Sequence, residues 1–203
     1  MRFLWLAVLV LAGCSQRLNW MERDHVEFVT SIGSPRYGCQ VADESMLIGR
    51  VWLCPTSATV ATGCDDSLWR HVYRSTRLQV HQMCVTVTGT IVDATATRKT
   101  PSKDGVRHEA DGDCHGWLKL DPGQEKYLNA GNMSDEGGNL VYEIVCLFPV
   151  TQKDAISACK GYKSHIKLAP VGSHVKMTGS WVTDDNHARW MEIHPVSSLT
   201  VIP

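Results

Sequence analysis

Three features are missing from this chain of 203 residues, and each absence argues against a class of protein. There is no basic excess, because 20 Lys and Arg residues stand against 21 Asp and Glu residues. Proteins that bind phosphate backbones usually present a basic face, so nucleic acid is not an expected partner. No second long apolar run follows the N-terminal one, so no membrane-spanning segment is expected after it. No Cys-x-x-Cys pair occurs, which argues against a zinc–thiolate site.

The eight cysteines indicate an oxidising compartment, because a chain of this size in a reducing cytosol rarely has so many. A bond between Cys146 and Cys159 is predicted, since the first ends a predicted strand and the second lies near the end of the following helix. A bond between Cys84 and Cys114 would join the first two strands. The pairing of the N-terminal cysteines stays open. If Cys14 carries lipid, seven cysteines remain, so at least one thiol is free or pairs with another chain.

The N-terminus has the features of a bacterial export signal. Arg2 precedes an apolar run over residues 3–12, which is too short to span a bilayer as a mature helix. The run leads into Leu11-Ala12-Gly13-Cys14, which resembles the lipobox of bacterial lipoprotein signal peptides. The resemblance implies removal of residues 1–13 and acylation of Cys14 at its thiol and its new amine, for example with palmitate. The alternative is an ordinary cleaved secretion signal with an unrelated cysteine.

Acyl chains on Cys14 would anchor the mature protein, at about 0.8 kcal/mol per buried methylene. Ser15 follows this cysteine, whereas an aspartate there usually marks retention in the inner membrane. We therefore expect the protein at the outer membrane, facing the periplasm. In a Gram-positive organism the same anchor would place it on the outer leaflet of the single membrane.

The rest of the chain divides at about residue 78 into two parts of different pattern. Residues 14–77 are poorly periodic and are predicted to be a tether and an irregular, cysteine-containing segment. In residues 78–203, apolar and β-branched residues alternate with polar ones, which is typical of half-buried strands. The predicted elements are strands at residues 84–92, 113–120, 140–146, 174–182 and 190–194, with a short helix between Thr151 and Gly161.

This order of elements predicts a mainly β domain with an OB-like fold: a small five-stranded barrel with one short helix between strands 3 and 4. Gly89 and Gly179 lie inside the first and fourth strands, where a barrel strand can bulge or bend. Pro195 is expected to end the fifth strand. An unrelated β-sandwich is the alternative, because short strands separated by turns suit both folds.

Two of the predicted strands each carry an acid, a histidine and a tryptophan on one face, because side chains alternate between the faces of a strand. The residues concerned are Asp113, His115 and Trp117 on the second strand, Trp190, Glu192 and His194 on the fifth, and Asp111 just before the second. The acids and histidines form the candidate functional or structural cluster. The two tryptophans are candidates for stacking on a base or a sugar, or for filling the barrel.

Four motifs within residues 78–202 resemble those of a family of secreted bacterial domains with an OB-like fold. They are Asp111-Gly-Asp-x-His115, Leu140-Val-x-Glu-Ile-Val-Cys146, Gly172-x-x-Val-x-Met-Thr-Gly179 and Trp190-Met-Glu-Ile-His-Pro-Val196. The family pattern has His-Gly-x-Trp before the last motif, whereas this chain has Ala188 in place of the glycine. The resemblance implies an OB-like barrel and brings no reaction with it.

Two interpretations of the cluster stay open. Two imidazoles with two or three carboxylates could bind Zn²⁺ or a similar ion and activate water. The protein would then be a metal-dependent hydrolase of the phosphodiesterase or nuclease type, using Asp113, His115, Glu192 and His194. The interpretation that we favour is structural: each histidine bonds to a carboxylate or carbonyl where strands meet. The expected function is then binding of a ligand or partner at the cell envelope, with no cofactor.

Overall fold

The computed structural model describes residues 63–203 in full, together with the backbone of three earlier strands. These are β1 (Val26–Thr30), β2 (Gln40–Val41) and β3 (Val51–Pro55), which form an antiparallel sheet in the order β1–β3–β2. The predicted leader, residues 1–13, and the predicted lipid site, Cys14, lie outside the described residues. Within the part of the chain that is described, no helix is long and apolar enough to cross a membrane.

Five strands of residues 78–203 form a closed barrel, and a sixth, short strand lies outside it. In chain order the strands are β4 (Leu78–Val92), the outer β5 (Arg107–His108), β6 (Cys114–Leu120), β7 (Leu140–Ile144), β8 (His174–Asp184) and β9 (Met191–Val201). The order around the barrel is β4–β8–β9–β7–β6, and the pairing of β4 with β6 closes it. The mainly β, OB-like barrel predicted from the element order is confirmed.

The pairing of β7 with β9 decides which side chains meet. These two strands run parallel, whereas the other neighbouring pairs of barrel strands are antiparallel. Alternate residues of β4 are buried, and Val85, Val87 and Ile91 belong to the main apolar cluster inside the barrel. The parallel pairing places β7 between β6 and β9, so polar residues of three strands become neighbours.

The two predicted strand glycines lie where strands approach each other closely. The register of β8 against β9 shifts on both sides of Gly179. A Cβ at this position would overlap the side chain of Ile193 and the carbonyl oxygen of Pro195. Gly89 faces the carbonyl of Lys119, at the place where β4 pairs with both β6 and β8. A larger residue at either position would push neighbouring strands apart.

The expectation that Pro195 ends the fifth barrel strand is wrong, because β9 continues through it to Val201. The register against β8 passes from Ile193 opposite Trp181 to Val196 opposite Gly179. Pro195 therefore lies in a bulge, where its missing N–H interrupts no regular ladder hydrogen bond.

The predicted short helix between the third and fourth barrel strands is present as a single 3-10 turn, Lys153–Ala155. A second short helix, α1 (Ala130–Asp135), lies between β6 and β7, where the sequence pattern indicates a loop. Its N-cap is Asn129, whose side chain accepts hydrogen bonds from the amides of Gly131 and Asn132. Asn129 is a favourable N-cap residue and so indicates a helix in the sequence. The nearby glycines are typical of a loop, and they led to the loop prediction.

Within residues 63–203, two disulfides tie the barrel to the segments beside it. The predicted bond between Cys146 and Cys159 is confirmed. The bond considered between Cys84 and Cys114 is wrong, since Cys84 pairs with Cys64 and Cys114 is a free, buried thiol. The register explains the difference: β4 pairs with β6 from Gly89 to Val92 only, far along the strand from Cys84.

The segment just before the barrel is packed against it. Two 3-10 helices, Asp66–His71 and Ser75–Arg77, precede β4. Leu68 and Trp69 are buried in a second apolar cluster with residues of β4 and β8. The indole N–H of Trp69 donates to the hydroxyl of Ser180 at 3.1 Å. This packing fixes the start of β4 and carries Arg77 to the polar interior described below.

Candidate functional site

Charged side chains are buried together where β6, β7 and β9 lie side by side. Four of the five predicted cluster residues are among them, joined by residues from neighbouring segments. The acids are Asp113, Glu136, Glu143, Asp184 and Glu192, and the cationic or imidazole groups are Arg77, Arg107, His115 and His194. We call these nine residues the interior network.

Strand register explains why three members of the network form a row. His115 on β6 lies directly opposite Glu143 on β7, so both side chains leave the same face of the sheet. β7 runs parallel to β9 with Tyr142 beside Ile193, which brings Glu143 next to His194. The row His115–Glu143–His194 therefore crosses three neighbouring strands.

Glu143 is the shared partner of this row. Its Oε1 lies 3.2 Å from Nδ1 of His115, and its Oε2 lies 2.9 Å from Nδ1 of His194. The guanidinium of Arg77 is 3.6 Å from the same Oε2. Burial raises the pKa of the Glu143 carboxyl, but His194, His115 and Arg77 together lower it well below its usual range. Glu143 is therefore a buried carboxylate that three cations hold in its charged form.

His194 and Asp113 meet at the centre of the barrel end. Nδ1 of His194 lies 3.0 Å from Glu192 Oε1 and close to Glu143, and its Nε2 lies 3.6 Å from Asp113 Oδ2. Burial lowers the pKa of His194, but Glu143 and Glu192 raise it to about 10. Asp113 Oδ1 accepts the amide of Cys146 at 2.8 Å. Burial raises the pKa of Asp113 well above its usual range, although His194 opposes this.

A second acid, Glu136, completes the other side of His115. Glu136 Oε2 lies 3.2 Å from His115 Nε2 and 3.3 Å from the guanidinium of Arg107, and it accepts the indole N–H of Trp117. Burial lowers the pKa of His115, but hydrogen bonds to Glu136 and Glu143 raise it to about 9. His115 is thus an imidazolium between two carboxylates.

The two other acids of the network, Asp184 and Glu192, are bound by Arg77 and Trp190. Arg77 forms an ion pair with Asp184 and lies 3.9 Å from Glu192 Oε1. The indole N–H of Trp190 donates to Glu192 Oε2 at 2.8 Å.

One face of Trp190 is stacked on His187, with ring centroids 5.2 Å apart. A ligand that stacks on this face of Trp190 would have to displace His187.

Trp117, the other predicted stacking residue, also serves the network. Its indole N–H is bound to Glu136, and the guanidinium carbon of Arg107 lies 5.2 Å from its ring centroid. The side chain of Arg107 is largely buried, with 16% of its surface exposed. It is held between Trp117, Glu136 and the carbonyl of Ala94.

A cleft of about 480 Å³ opens above the interior network. His115 and Glu143 form its floor, because both are buried network residues that also line it. One wall is the loop of residues 93–113, which contributes Asp111, the fifth predicted cluster residue. A second wall is the loop of residues 185–190, which contributes His187. Tyr73, Arg74 and Gln152, from segments outside the barrel strands, also line the cleft. Asp111 therefore faces the cleft, whereas Asp113 lies beneath it.

Sequence reasoning missed Glu143, although a signal for it exists. Glu143 is the single charged residue of a strand that is otherwise apolar and buried, Leu140–Ile144. A lone acid in such a strand needs a cation, because an unpaired buried charge is costly. Glu136, Arg77 and Asp184 carry no comparable signal, since they lie at element ends and reach the network through tertiary contacts.

The four residues of the predicted metal set do not converge on one point. Among residues 63–203, two groups of ligand atoms lie within 4.8 Å of one another: Asp113 with the disulfide-bonded Cys146 and Cys159, and Asp113 with Glu143 and His194. The second group holds two of the four predicted residues. His115 and Glu192 are outside this group and bind carboxylate or imidazole partners instead. The three convergent residues offer one imidazole nitrogen and two carboxylates, a donor set suited to zinc and similar ions.

Comparison with known proteins identifies no relative: no family model, no curated protein and no solved structure matches this chain. The resemblances of its N-terminus to lipoprotein signals and of its barrel to secreted OB-like domains therefore stay predictions.

Proposed function

We propose that this chain is a lipid-anchored envelope protein whose OB-like barrel binds a ligand in the cleft between residues 93–113 and 185–190. The position of the cleft carries the proposal. OB folds bind ligands on the face of strands 2 and 3, beside the loops that join strands 1 to 2 and 4 to 5. In this barrel those strands are β6 and β7, and those loops are the two walls of the cleft.

The lining of the cleft favours a polar ligand. Arg98, Arg107 and His187 offer hydrogen-bond donors, while Glu109 and Asp111 offer acceptors. Charges of both signs at the walls suit hydroxyl, amide or carboxylate groups better than a phosphate backbone, which requires a basic surface. The interior network below fixes the floor, so the cleft is largely preformed.

Burial of the acid and base groups favours binding over hydrolysis. Asp113 and His194 are 1% and 0% exposed, whereas a catalytic zinc keeps an open position for water and substrate. Of the network residues that line the cleft, His115 and Glu143 are the ones that could act as a base, and both are already held in ion pairs. A general base needs a free lone pair within reach of its proton.

The proposal is tested by NMR titration of the protein with soluble envelope molecules: peptidoglycan fragments, oligosaccharides and short peptides. We expect one class to shift amide resonances of both cleft walls. The double variant Arg98→Ala and Asn186→Ala, at the two walls, should bind it at least tenfold more weakly. Lys176→Ala, on the exposed face of β8, is the matched control and should bind normally. Shifts confined to the second groove, between Tyr162 and Leu199, would contradict the proposal.

A further inference from the structure

We infer that Asp113, Glu143 and His194 form a structural site for a divalent metal ion beneath the floor of the cleft, with Zn²⁺ as the best match. One ligand atom from each residue lies within 4.8 Å of the other two. Zinc binds imidazole nitrogen and carboxylate oxygen at about 2.0–2.2 Å, so a small contraction of this group would coordinate it. The inference is independent of which ligand occupies the cleft.

Two unpaired buried atoms mark the position of the ion. Among residues 63–203, Asp113 Oδ2 and His194 Nε2 are buried side-chain atoms without a hydrogen-bond partner. They face each other at 3.6 Å, which is longer than a hydrogen bond. Two ligand atoms of a tetrahedral zinc lie about 3.3 Å apart, given the usual bond lengths. The gap between these two atoms therefore suits an ion shared by both of them.

The other polar atoms of the two side chains are held as those of metal ligands usually are. A ligating histidine typically donates its second N–H to a carboxylate, which fixes the ring. Here His194 Nδ1 lies 3.0 Å from Glu192 Oε1, and Glu192 is in turn held by Trp190. Asp113 Oδ1 accepts the amide of Cys146. In these two residues, the atoms left over are the two at the proposed site. The third ligand, Glu143, would give up its contact with His194 Nδ1 to reach the ion.

The charge of the interior network also fits a divalent ion. Its five carboxylates face two arginines, so three negative charges stay uncompensated unless cations or protons join them. An imbalance of this size is not tolerated in a protein interior. A divalent ion would supply two positive charges in the middle of these carboxylates.

The test uses the full chain, stripped of metal with a chelator and titrated first with Co²⁺ and then with Zn²⁺. We expect a visible Co²⁺ absorption band that saturates at one ion per chain and disappears when Zn²⁺ is added. Zn²⁺ at about a hundred times its Kd should raise the melting temperature by about 5–10 °C. No Co²⁺ band and no effect of Zn²⁺ on melting would overturn the inference.

Asp113→Asn is the diagnostic variant, because it keeps an acceptor for the Cys146 amide and removes the charged ligand atom. It should lose the Co²⁺ band and the response to Zn²⁺. Asp121→Asn is the control: it breaks a surface acid–histidine pair, Asp121 with His174 at 2.8 Å, and should keep both. Metal binding that survives in Asp113→Asn would overturn the inference. If that variant does not fold, the imidazole nitrogen resonances of the wild type decide: Zn²⁺ must shift Nε2 of His194.

Discussion

Glu143 neutralises cations on three sides, and this makes it the residue on which the interior network depends. Its carboxylate lies between the imidazoles of His115 and His194, with Arg77 close by. Buried ion pairs add little stability when complete, yet removal of one partner is costly because the other charges stay buried. Removal of the Glu143 charge should therefore lower the stability of the protein measurably.

In chelator, where no metal ion is bound, Glu143→Gln should lower the free energy of unfolding by about 3–5 kcal/mol, since it leaves three cations without their shared partner. Urea unfolding measures this change, and Glu125→Gln is the control. Glu125 is an exposed acid outside the network, so its neutralisation should cost less than about 0.5 kcal/mol. Equal midpoints for the two variants would show that the network does not depend on Glu143.

Ala188 occupies a conformation that suits glycine. Its φ is 45°, in the left-handed region, within the turn that joins β8 to β9. A side chain in this region costs about 1–2 kcal/mol, and the extra entropy of an unfolded glycine offsets part of that cost. Ala188→Gly should therefore stabilise the domain by up to about 1 kcal/mol in thermal melting. Ala96→Gly, in a loop position without positive φ, should give no gain.

Among the elements, β7 combines complete burial with a disulfide close to its end. It has five residues, all buried, and it provides the central member of the row His115–Glu143–His194. The disulfide between Cys146 and Cys159 follows directly after this strand and closes a loop with a sequence separation of 13. The covalent bond therefore limits the freedom of the chain at the end of β7.

The double variant Cys146→Ala and Cys159→Ala should lose about 3 kcal/mol of stability, the value for a closed loop near this length in the chain-entropy model. Urea unfolding under oxidising conditions measures the loss. Cys114→Ala is a useful comparison, because that thiol is buried but unbonded and its removal creates only a small cavity. A double variant as stable as the wild type would mean that the bond does not constrain the unfolded chain.

For the whole molecule, the interior network sets a pH range of stability. The pKa of His115 rises from 6.5 to about 9 on folding, because its carboxylate partners outweigh burial. Its contribution is therefore complete below about pH 6.5 and is lost as the pH rises through 9. The pKa of Glu143 falls below its ordinary value of 4.5, so its contribution is complete above that pH and is lost in acid.

The urea midpoint, measured in chelator, should accordingly be highest between about pH 5 and pH 6.5 and should decline steadily towards pH 10. Glu143→Gln, if folded, should show a flatter profile, because it removes the charge that raises the pKa of His115. Stability that increases from pH 7 to pH 9 would contradict the assignment of His115 as an imidazolium.

Membrane attachment is the other prediction for the whole molecule. Cys14→Ser should abolish incorporation of labelled palmitate and release the protein from the membrane fraction, since the acyl chains are the proposed anchor. Ser15→Asp is the matched control, which should still be labelled but should fractionate with the inner membrane. Label on the Cys14→Ser variant would refute the lipoprotein assignment.

The amino-acid sequence by itself determined the five barrel strands, their order along the chain and the faces on which their side chains lie, whereas β1, β2 and the outer β5 were not predicted. Alternation placed His115 of β6 and Asp113, which directly precedes that strand, on one face, and Glu192 and His194 on one face of β9. The spacing of Cys146 and Cys159 also indicated their bond. These are local properties, because a side chain's face depends on its position in its own strand.

Only the tertiary structure decided which faces meet. Barrel closure and the parallel pairing of β7 with β9 put Glu143 between the two predicted histidines, and packing before β4 brought Arg77 to them. The continuation of β9 through Pro195 likewise depends on a bulge opposite β8. Strand neighbours and register are set by contacts between residues far apart in the chain, and alternation within one strand carries no information about them.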